Sequence, residues 1–568
     1  MSGNDGSDAR ARLKILVVDD ERLIRFMMSS ILRSAGYEVA EASSATEAVG
    51  KLTSESFCAV VTDVLMGDID GFMLREAIRE HNKAIPVVFL TSLVNENDGL
   101  MKRVMEDFRS YYLSKNATRE TILQCVAYVT NAYQIEQDAQ RQKVRLEKDM
   151  ALASLVQRTV LPAWVHVEKG YRYGDFWRPF GKISGDLVEW VPLTPDSCLF
   201  VFGDISGHGT HSALAMMAVQ VFLKQLTNEL NGRRPHPHRV LTELNTFFSR
   251  NLANVTYMSC LVAYWDFAKN ELVYCNAGHN DIACYRTLTG ERIDLNPQKK
   301  GGVPVGLLPG TTYTTDDVVR VTFPDDAMFV VYSDGITDLT NDAKGDHFLP
   351  EELADQVLSV LAMECGVERD VTEIPTEFYL ALKNLGYSYR RDDILAFAIA
   401  KTCDRDTVFA QDVRTDATGV EAVAQAAFAW VRDRFGSEDL AFRVELLLEE
   451  HLMNVSSHGV DAAMRHGEHA MVIIRKDGDR PQLMVRVLDP GKPWNFAENV
   501  KGRDLEAHCD AQNANYAAHG RGMAIKKKLV SEARYRRLPG MNRNIFYVLF
   551  DEAAATAPAE GKEAEAHG

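Results

Sequence analysis

Over residues 13 to 130, short apolar runs alternate with amphipathic stretches of helix length. "KILVV", "EVAEA", "CAVVT", "IPVVFL" and "SYYLS" have the length and β-branched content of strands, and a helical segment separates each from the next. That alternation predicts a doubly wound, parallel (βα)5 domain over residues 12–130. Residues 118 to 160 then read as helix without glycine, with Ala132, Ile135, Ala139, Gln142, Leu146, Asp149, Ala153 and Val156 at a/d spacing. Gln142 and Asp149 interrupt the seam. The linker 131–160 is therefore either a weak parallel coiled coil, which would pair two copies, or a single connecting helix.

From 161 the texture changes to longer β segments, "LFVFGDIS", "CLVAYWDF", "ELVYCNAGHN", "MFVVYSDG" and "DILAFAIA", with helices at 212 to 230 and 350 to 365. This pattern predicts a layered α and β domain over 161–402. Residues 405–551 read as two helices, strands "AMVIIR" and "LMVRVLD", a polar loop, a short helix after "GRG", and strands "EARYRRL" and "NIFYVLF". The small, charged tail 552–568 is expected to be disordered.

Composition narrows the class. A length of 568 residues suits three or four domains, and 46% apolar residues suffice for their cores. With Lys plus Arg at 63 and Asp plus Glu at 80, the net charge of -17 argues against nucleic acid or anionic lipid as the main partner and favours proteins. The nine cysteines form no CxxC or metal spacing, as expected of free thiols in a reducing compartment. No apolar run approaches 18 residues and "MSGNDGSDARAR" lacks a signal core, so a soluble, cytoplasmic protein is expected.

In an open parallel sheet, chemistry gathers at the carboxyl ends of the strands. Here those ends carry Asp19 and Asp20, Asp63, Thr91 and Lys115. Three carboxylates in one place call for a hard cation such as Mg²⁺, and Lys115 would help offset the charge of a phosphoryl group on one of them. The stretch resembles bacterial response-regulator receiver domains. The resemblance implies that Asp63 is the phosphoacceptor, Asp19 and Asp20 with Asp63 hold Mg²⁺, Thr91 meets the phosphoryl group, Lys115 is its counter-ion and Tyr112 is the aromatic switch. Receivers usually place Pro after the lysine, where this chain has Asn116.

In the second segment Asp186 in "ISGDLVEW", Asp204 in "VFGDISGHG", Asp334 in "VYSDGITD" and Asp392 in "YRRDDILAF" each adjoin glycine or an apolar β run. Such a set without cysteine or ligand-spaced histidine suits Mg²⁺ or Mn²⁺, and two such ions can generate hydroxide and clamp a phosphoryl group. The segment resembles metal-dependent Ser/Thr phosphatases of the PPM type, in their SpoIIE-like branch, and "VQRTVLP" at 156 to 162 looks like the branch's junction with a regulatory helix. An αββα core is implied, with Asp204 bridging two metals, the Ile205 carbonyl assisting, Asp334 and Asp392 completing the site and Asp186 an added acidic member. Either Asp392 or the adjacent Asp393 could be the ligand.

In "LLLEEHLMNVSSHG" Glu450 and Asn454 lie one helical turn apart beside the stripe Leu448, Leu452 and Val455. Downstream come "VLDPGKP", with Asp489 and Gly491, and "HGRGMAI", with Gly520 and Gly522; a glycine-rich turn opening a helix can cradle phosphates. In this order the motifs resemble the GHKL (Bergerat) ATP-binding α/β sandwich, and "EHLMNVSSHG" resembles its anti-sigma-factor serine kinases. That implies Asn454 on the Mg²⁺ of ATP, Glu450 as general base for a serine hydroxyl, Asp489 on adenine with Gly491 beneath the base, and Gly520 and Gly522 in the phosphate loop.

The three-part chain resembles response regulators of the HsbR type. The resemblance implies opposed serine phosphatase and serine kinase activities on a small anti-anti-sigma (STAS-type) protein, controlled at Asp63, with a histidine phosphotransfer protein or hybrid histidine kinase as phosphodonor and a sigma factor downstream. The alternative is a scaffold or anti-sigma antagonist that binds its partner without turnover.

Overall fold

The computed structural model describes residues 13–66, 70–81, 84–91, 103–104, 106–168, 170–207, 209–252, 256–341, 347–366, 368–401, 408–459, 469–478, 480–489, 491, 493, 528–539 and 541–550. Gly520, Gly522 and the tail 552–568 lie outside them. The chain divides into two compact units, 1–149 and 150–568.

The first unit is a five-stranded parallel sheet running, edge to edge, Glu38–Ala42, Lys14–Val18, Ala59–Asp63, Val87–Thr91 and Ser110–Ser114. Its central strands are apolar at successive positions because both faces are covered: Leu16, Val60 and Phe89 enter one core, Ile15, Val61 and Leu90 the other. The helix Arg119–Val160 starts here, with Ile122, Val126 and Val129 filling the second core. It continues unbroken for 42 residues, and Ile135, Leu146, Leu152, Leu155 and Val156 along it are exposed.

The second unit opens with two stacked antiparallel sheets. One runs Val318–Thr322, Glu271–Ala277, Met258–Asp266, Ser197–Ile205, Leu187–Thr194; the other Arg292–Ile293, Ala283–Arg286, Ala327–Tyr332, Ile394–Lys401, Tyr171–Arg178, Val165–Glu168. Between them lies an aromatic core including Tyr173, Trp190, Phe200, Trp265, Phe329 and Phe397. Helices Thr210–Leu230 and Pro237–Asn251 cover the first sheet, and Glu351–Glu364 and Ile374–Asn384 the second, giving αββα layers.

The last segment is an antiparallel sheet in the order Val408–Arg414, His469–Lys476, Gln482–Asp489, Met541–Leu549, Glu532–Leu538. Helices Ala417–Phe435 and Glu438–Asn454 pack on one face. Asp416 and Ser437 cap their N-termini by accepting from Gly419 and Leu440 amides, and Gly436 at φ 62° ends the first helix in the left-handed conformation that glycine tolerates. The edge strand Val408–Arg414 is absent from the sequence-based expectation.

The opposite face of this sheet is covered as well. Met471, Ile473, Leu488, Leu538 and Met541 pack against Trp164 and Val165, and the Trp164 indole donates to the His469 carbonyl at 3.0 Å. Beyond this apolar patch, Arg486 and Arg543 donate to the two oxygens of Glu373 at 2.6 and 2.9 Å, and Arg536 donates to Glu377 at 3.0 Å. Glu373 and Glu377 are themselves buried, at the start of helix Ile374–Asn384.

Candidate functional sites

In the first unit, Asp63 and Thr91 are the last residues of neighbouring strands and Asp19 and Lys115 immediately follow two others. Lys115 Nζ lies 2.7 Å from Asp63 Oδ2 and 3.2 Å from Asp19 Oδ2. Oxygens of Asp19, Asp20 and Asp63 lie within 4.8 Å of one another, a set that fits a hard cation, with Asp20 exposed and the other two buried. Burial, the largest influence, raises Asp19 above the usual carboxylate range against the Glu21 amide and Lys115. Burial works against the Lys115 ammonium, yet hydrogen bonds to Asp63 and Asp19 hold its pKa above the ordinary lysine value. Tyr112 is exposed. After Lys115 the chain turns with the Ala117 amide donating to the Ser114 carbonyl, so Asn116 sits in a closed turn without proline. Gly71 packs so close to the Asp63 carbonyl that a Cβ would lie 2.2 Å from that oxygen.

The phosphatase-like acids come from four places in the double sheet. Asp204 is next to last in Ser197–Ile205, Asp186 just precedes Leu187–Thr194, Asp334 opens a single helical turn after Ala327–Tyr332, and Asp392 precedes Ile394–Lys401. Gly335 admits this turn because a Cβ there would meet the Asp393 carbonyl. Burial, then the neighbouring carboxylates, pushes Asp204 up to about 7 and Asp334 up to about 6, and moves Asp186 well above its usual range. Asp186 Oδ2 accepts from the Ser333 hydroxyl at 3.1 Å, while its buried Oδ1 has no hydrogen-bond partner in good geometry among the described residues. A desolvated carboxylate oxygen facing further carboxylates fits divalent cations. These acids do not converge as tightly as Asp19, Asp20 and Asp63, the one acidic set among the described residues within single-ion reach.

Asp392 and Asp393 differ in their surroundings. The negative charge of Asp392 acts on Asp204, Asp334 and Asp338, and that of Asp393 on Asp186 and Asp204. Asp393 accepts from the Phe180 and Gly185 amides at 2.6 and 2.9 Å. Residues absent from the sequence expectation also contribute: Ser333 holds Asp186, Asp338 adds charge at the end of "SDGITD", and Gln157 reaches the site from the long helix. The buried Gln157 amide donates to the Ser184 carbonyl at 2.7 Å and accepts from its amide at 3.1 Å, two residues before Asp186. Gln157 lies within the quoted "VQRTVLP", which was the available signal.

In the ATPase-like fold, Glu450 and Asn454 are half-buried on the last turns of Glu438–Asn454, and the Asn454 amide donates to the Glu450 carbonyl. Asp489 ends its strand fully buried. Its Oδ1 accepts from the Gly491 amide at 3.0 Å and Asn542 at 2.7 Å, and Oδ2 from Asn544 at 2.9 Å. A carboxylate offers about four acceptor directions, so one remains for an exocyclic amine. His451 Nε2 lies 3.7 Å from Asp489 Oδ2. Its place in the buried helical stripe with Val444, Leu447 and Leu448 was the sequence signal for it.

Comparison with known proteins follows the same three divisions. Residues 15–127 match the response regulator receiver domain, 194–401 the Stage II sporulation protein E (SpoIIE) family and 413–546 the histidine kinase-like ATPase domain. The phosphoserine phosphatase RsbU of Bacillus subtilis (strain 168) is 25% identical over 207 residues, 36% of this chain and 58% of RsbU. The sensor protein EvgS of Escherichia coli (strain K12) is 33% identical over 87 residues, 15% of this chain and 7% of EvgS. The chain thus spans less than two thirds of either relative. Among solved structures, the RsbU and RsbW domains of Rv1364c from Mycobacterium tuberculosis align at 17% identity and TM-score 0.36 over 68% of this chain and 96% of that one. The SiaA-PP2C domain of Pseudomonas aeruginosa aligns at 20% identity and TM-score 0.37 over 46% and 98%. No described helix is long and apolar enough to cross a membrane.

Proposed function

We propose, for a chain built of a receiver domain, a SpoIIE-type phosphatase domain and a histidine-kinase-like ATPase domain in that order, that phosphorylation of Asp63 sets the balance between removing and installing a serine phosphate on one small anti-anti-sigma protein. The observation that carries this is Gln157. The helix whose first turns fill the receiver core ends by holding Ser184, beside Asp186, through both ends of one amide. A shift or twist of that helix therefore acts on the backbone that positions an acidic residue of the phosphatase site.

Asp204, the Ile205 carbonyl, Asp334, Asp392 and Asp186 would hold two Mn²⁺ or Mg²⁺ ions. When bound, such ions supply hydroxide and neutralise phosphoryl charge. The chain positions these acids: Ser333 fixes Asp186, and Asp393 ties the Phe180–Gly185 loop to the segment that carries Asp392 just before Ile394–Lys401. In the ATPase domain, Asn454 would carry Mg²⁺ on ATP, Asp489 and Gly491 would take adenine, and Glu450, one turn from Asn454, would accept the proton of the incoming serine hydroxyl. Gly520 and Gly522 would belong to the phosphate loop. Asp19, Asp20 and Asp63 would hold Mg²⁺, Thr91 and Lys115 would receive the phosphoryl oxygens, and a histidine phosphotransfer protein or hybrid kinase would donate the group. Exposed Ile135, Leu146 and Val156 on the long helix support pairing of two copies.

A binder without turnover, holding the anti-anti-sigma protein or a sigma factor, is the second reading. The three donors already on Asp489 favour it. Incubation with γ-labelled ATP and the partner separates the two: label on the partner's serine, removed when Mn²⁺ is added, supports the enzyme, and a stable complex without label supports the binder.

A further inference from the structure

Register across the last sheet places Arg537, Asn542 and Asp489 side by side on three neighbouring strands. Alternation turns Arg536, the residue before, to the opposite face and Glu377, so Arg537 shares the face of Asp489. Asp489 and Asn542 are buried and Arg537 is half-buried. Arg537 Nη1 donates to Asn542 Oδ1 at 2.8 Å and to the Gly491 carbonyl at 2.6 Å, and the Tyr535 hydroxyl donates to the same Asn542 oxygen at 3.0 Å. Two donors on that oxygen allow the Asn542 amide a single orientation, with its Nδ2 on Asp489 Oδ1 at 2.7 Å. Gly491 is held at both ends of its backbone, its amide on Asp489 and its carbonyl on Arg537. Among the described residues Asp489 Oδ1 thus has two donors and Oδ2 only Asn544, so the open acceptor direction is on Oδ2. His451 Nε2, 3.7 Å from that oxygen, is beyond hydrogen-bond reach.

We infer, and this rests on the nucleotide site proposed above, that Arg537 is a positioning residue for base recognition: by fixing the Asn542 amide and the Gly491 carbonyl, it aims Asp489 so that a purine with a 6-amino group is accepted and one with a 6-oxo group is refused. A 6-amino group donates to the open acceptor on Oδ2, whereas a 6-oxo group sets a lone pair against a carboxylate that can only accept. Without Arg537, Asn542 loses its lock and Asp489 its aim. The loss falls on the amino purine, which uses Asp489, and spares the oxo purine, which does not.

Isothermal titration of the full chain in Mg²⁺ with ADP, and separately with inosine diphosphate, which carries a 6-oxo group in place of the amine, tests this. The unaltered chain is expected to bind ADP at least about tenfold more tightly than inosine diphosphate. Arg537→Met should narrow that preference at least about fivefold by weakening ADP alone, and Asn542→Leu, which removes the intermediary, should narrow it as much. Arg537→Met alters a half-buried side chain on an edge strand and keeps the test open if Asn542→Leu does not fold. A preference kept in Arg537→Met, or both diphosphates weakened equally, marks Arg537 as structural and overturns its positioning role while the nucleotide site stands. No saturable binding of ADP, or equal binding of both diphosphates by the unaltered chain, removes the nucleotide site or its base reading, and the role of Arg537 with it.

Discussion

Glu373 and Arg486 meet at 2.6 Å with both side chains closed to solvent, one from the phosphatase domain and the other from the ATPase sheet. A buried ion pair is costly to form but costlier to halve, because the survivor keeps its charge without a partner. Glu373→Gln, which leaves Arg486 and Arg543 facing a neutral amide, is expected to destabilise the chain by about 3 kcal/mol. Urea unfolding followed by tryptophan fluorescence reads this, and the two C-terminal domains should lose a common transition.

The Gln157 bridge gives a functional prediction. Gln157→Ala removes two buried hydrogen bonds to Ser184 and loosens the backbone before Asp186, with an expected fall in phosphatase kcat of about tenfold or more. Serine labelling by the ATPase domain should stay within about twofold. Equal loss of both activities would mark Gln157 as a packing residue only.

The adjacent aspartates should separate by their failures. Asp392→Asn is expected to abolish Mn²⁺-dependent dephosphorylation while the metal-free melting temperature holds or rises, since a charge leaves a repulsive cluster. Asp393→Asn removes the acceptor of the Phe180 and Gly185 amides and should lower the melting temperature by several degrees. Thermal melts with and without Mn²⁺ distinguish the two.

The pH dependence has a definite sign. Without metal, Asp204 at about 7 and Asp334 at about 6 keep protons in the folded state that unfolded carboxyls, near pH 4, have released. The folded chain binds more protons, so its stability falls as pH rises from about 4 to about 7. Divalent metal removes that repulsion, and the Mn²⁺-induced rise in melting temperature should be larger at pH 8 than at pH 5.5. An equal shift at both would mean that these carboxylates are ionised throughout.

Much of the fold and the main acidic positions could be read from the chain because their signal is local. Asp63 closes an apolar strand, Asp204 sits between a β run and glycine, and Glu450 and Asn454 share a helix face. The partners of Gln157, Ser333 and Asn544 could not, since each acts on a residue 27 to 147 positions away and leaves no periodic trace, even though Gln157 itself falls in "VQRTVLP". The strand Val408–Arg414 carries only a weak apolar pattern because its two faces are divided, Val408 and Ala410 on the Trp164 patch and Phe409 and Val413 on the sheet's own helices. The arginines of "EARYRRL" likewise carry no local sign of their partner: Arg536 pairs with Glu377, 159 positions away.

The double coverage of the last sheet bears on how the protein can be dissected. Cutting near residue 405 would bare Met471, Ile473, Leu488 and Met541 to water and strip Arg486 and Arg543 of Glu373. An excised C-terminal fragment would then carry an oily, cationic underside prone to self-association, so silence from such a fragment in a kinase assay would say little about the intact chain.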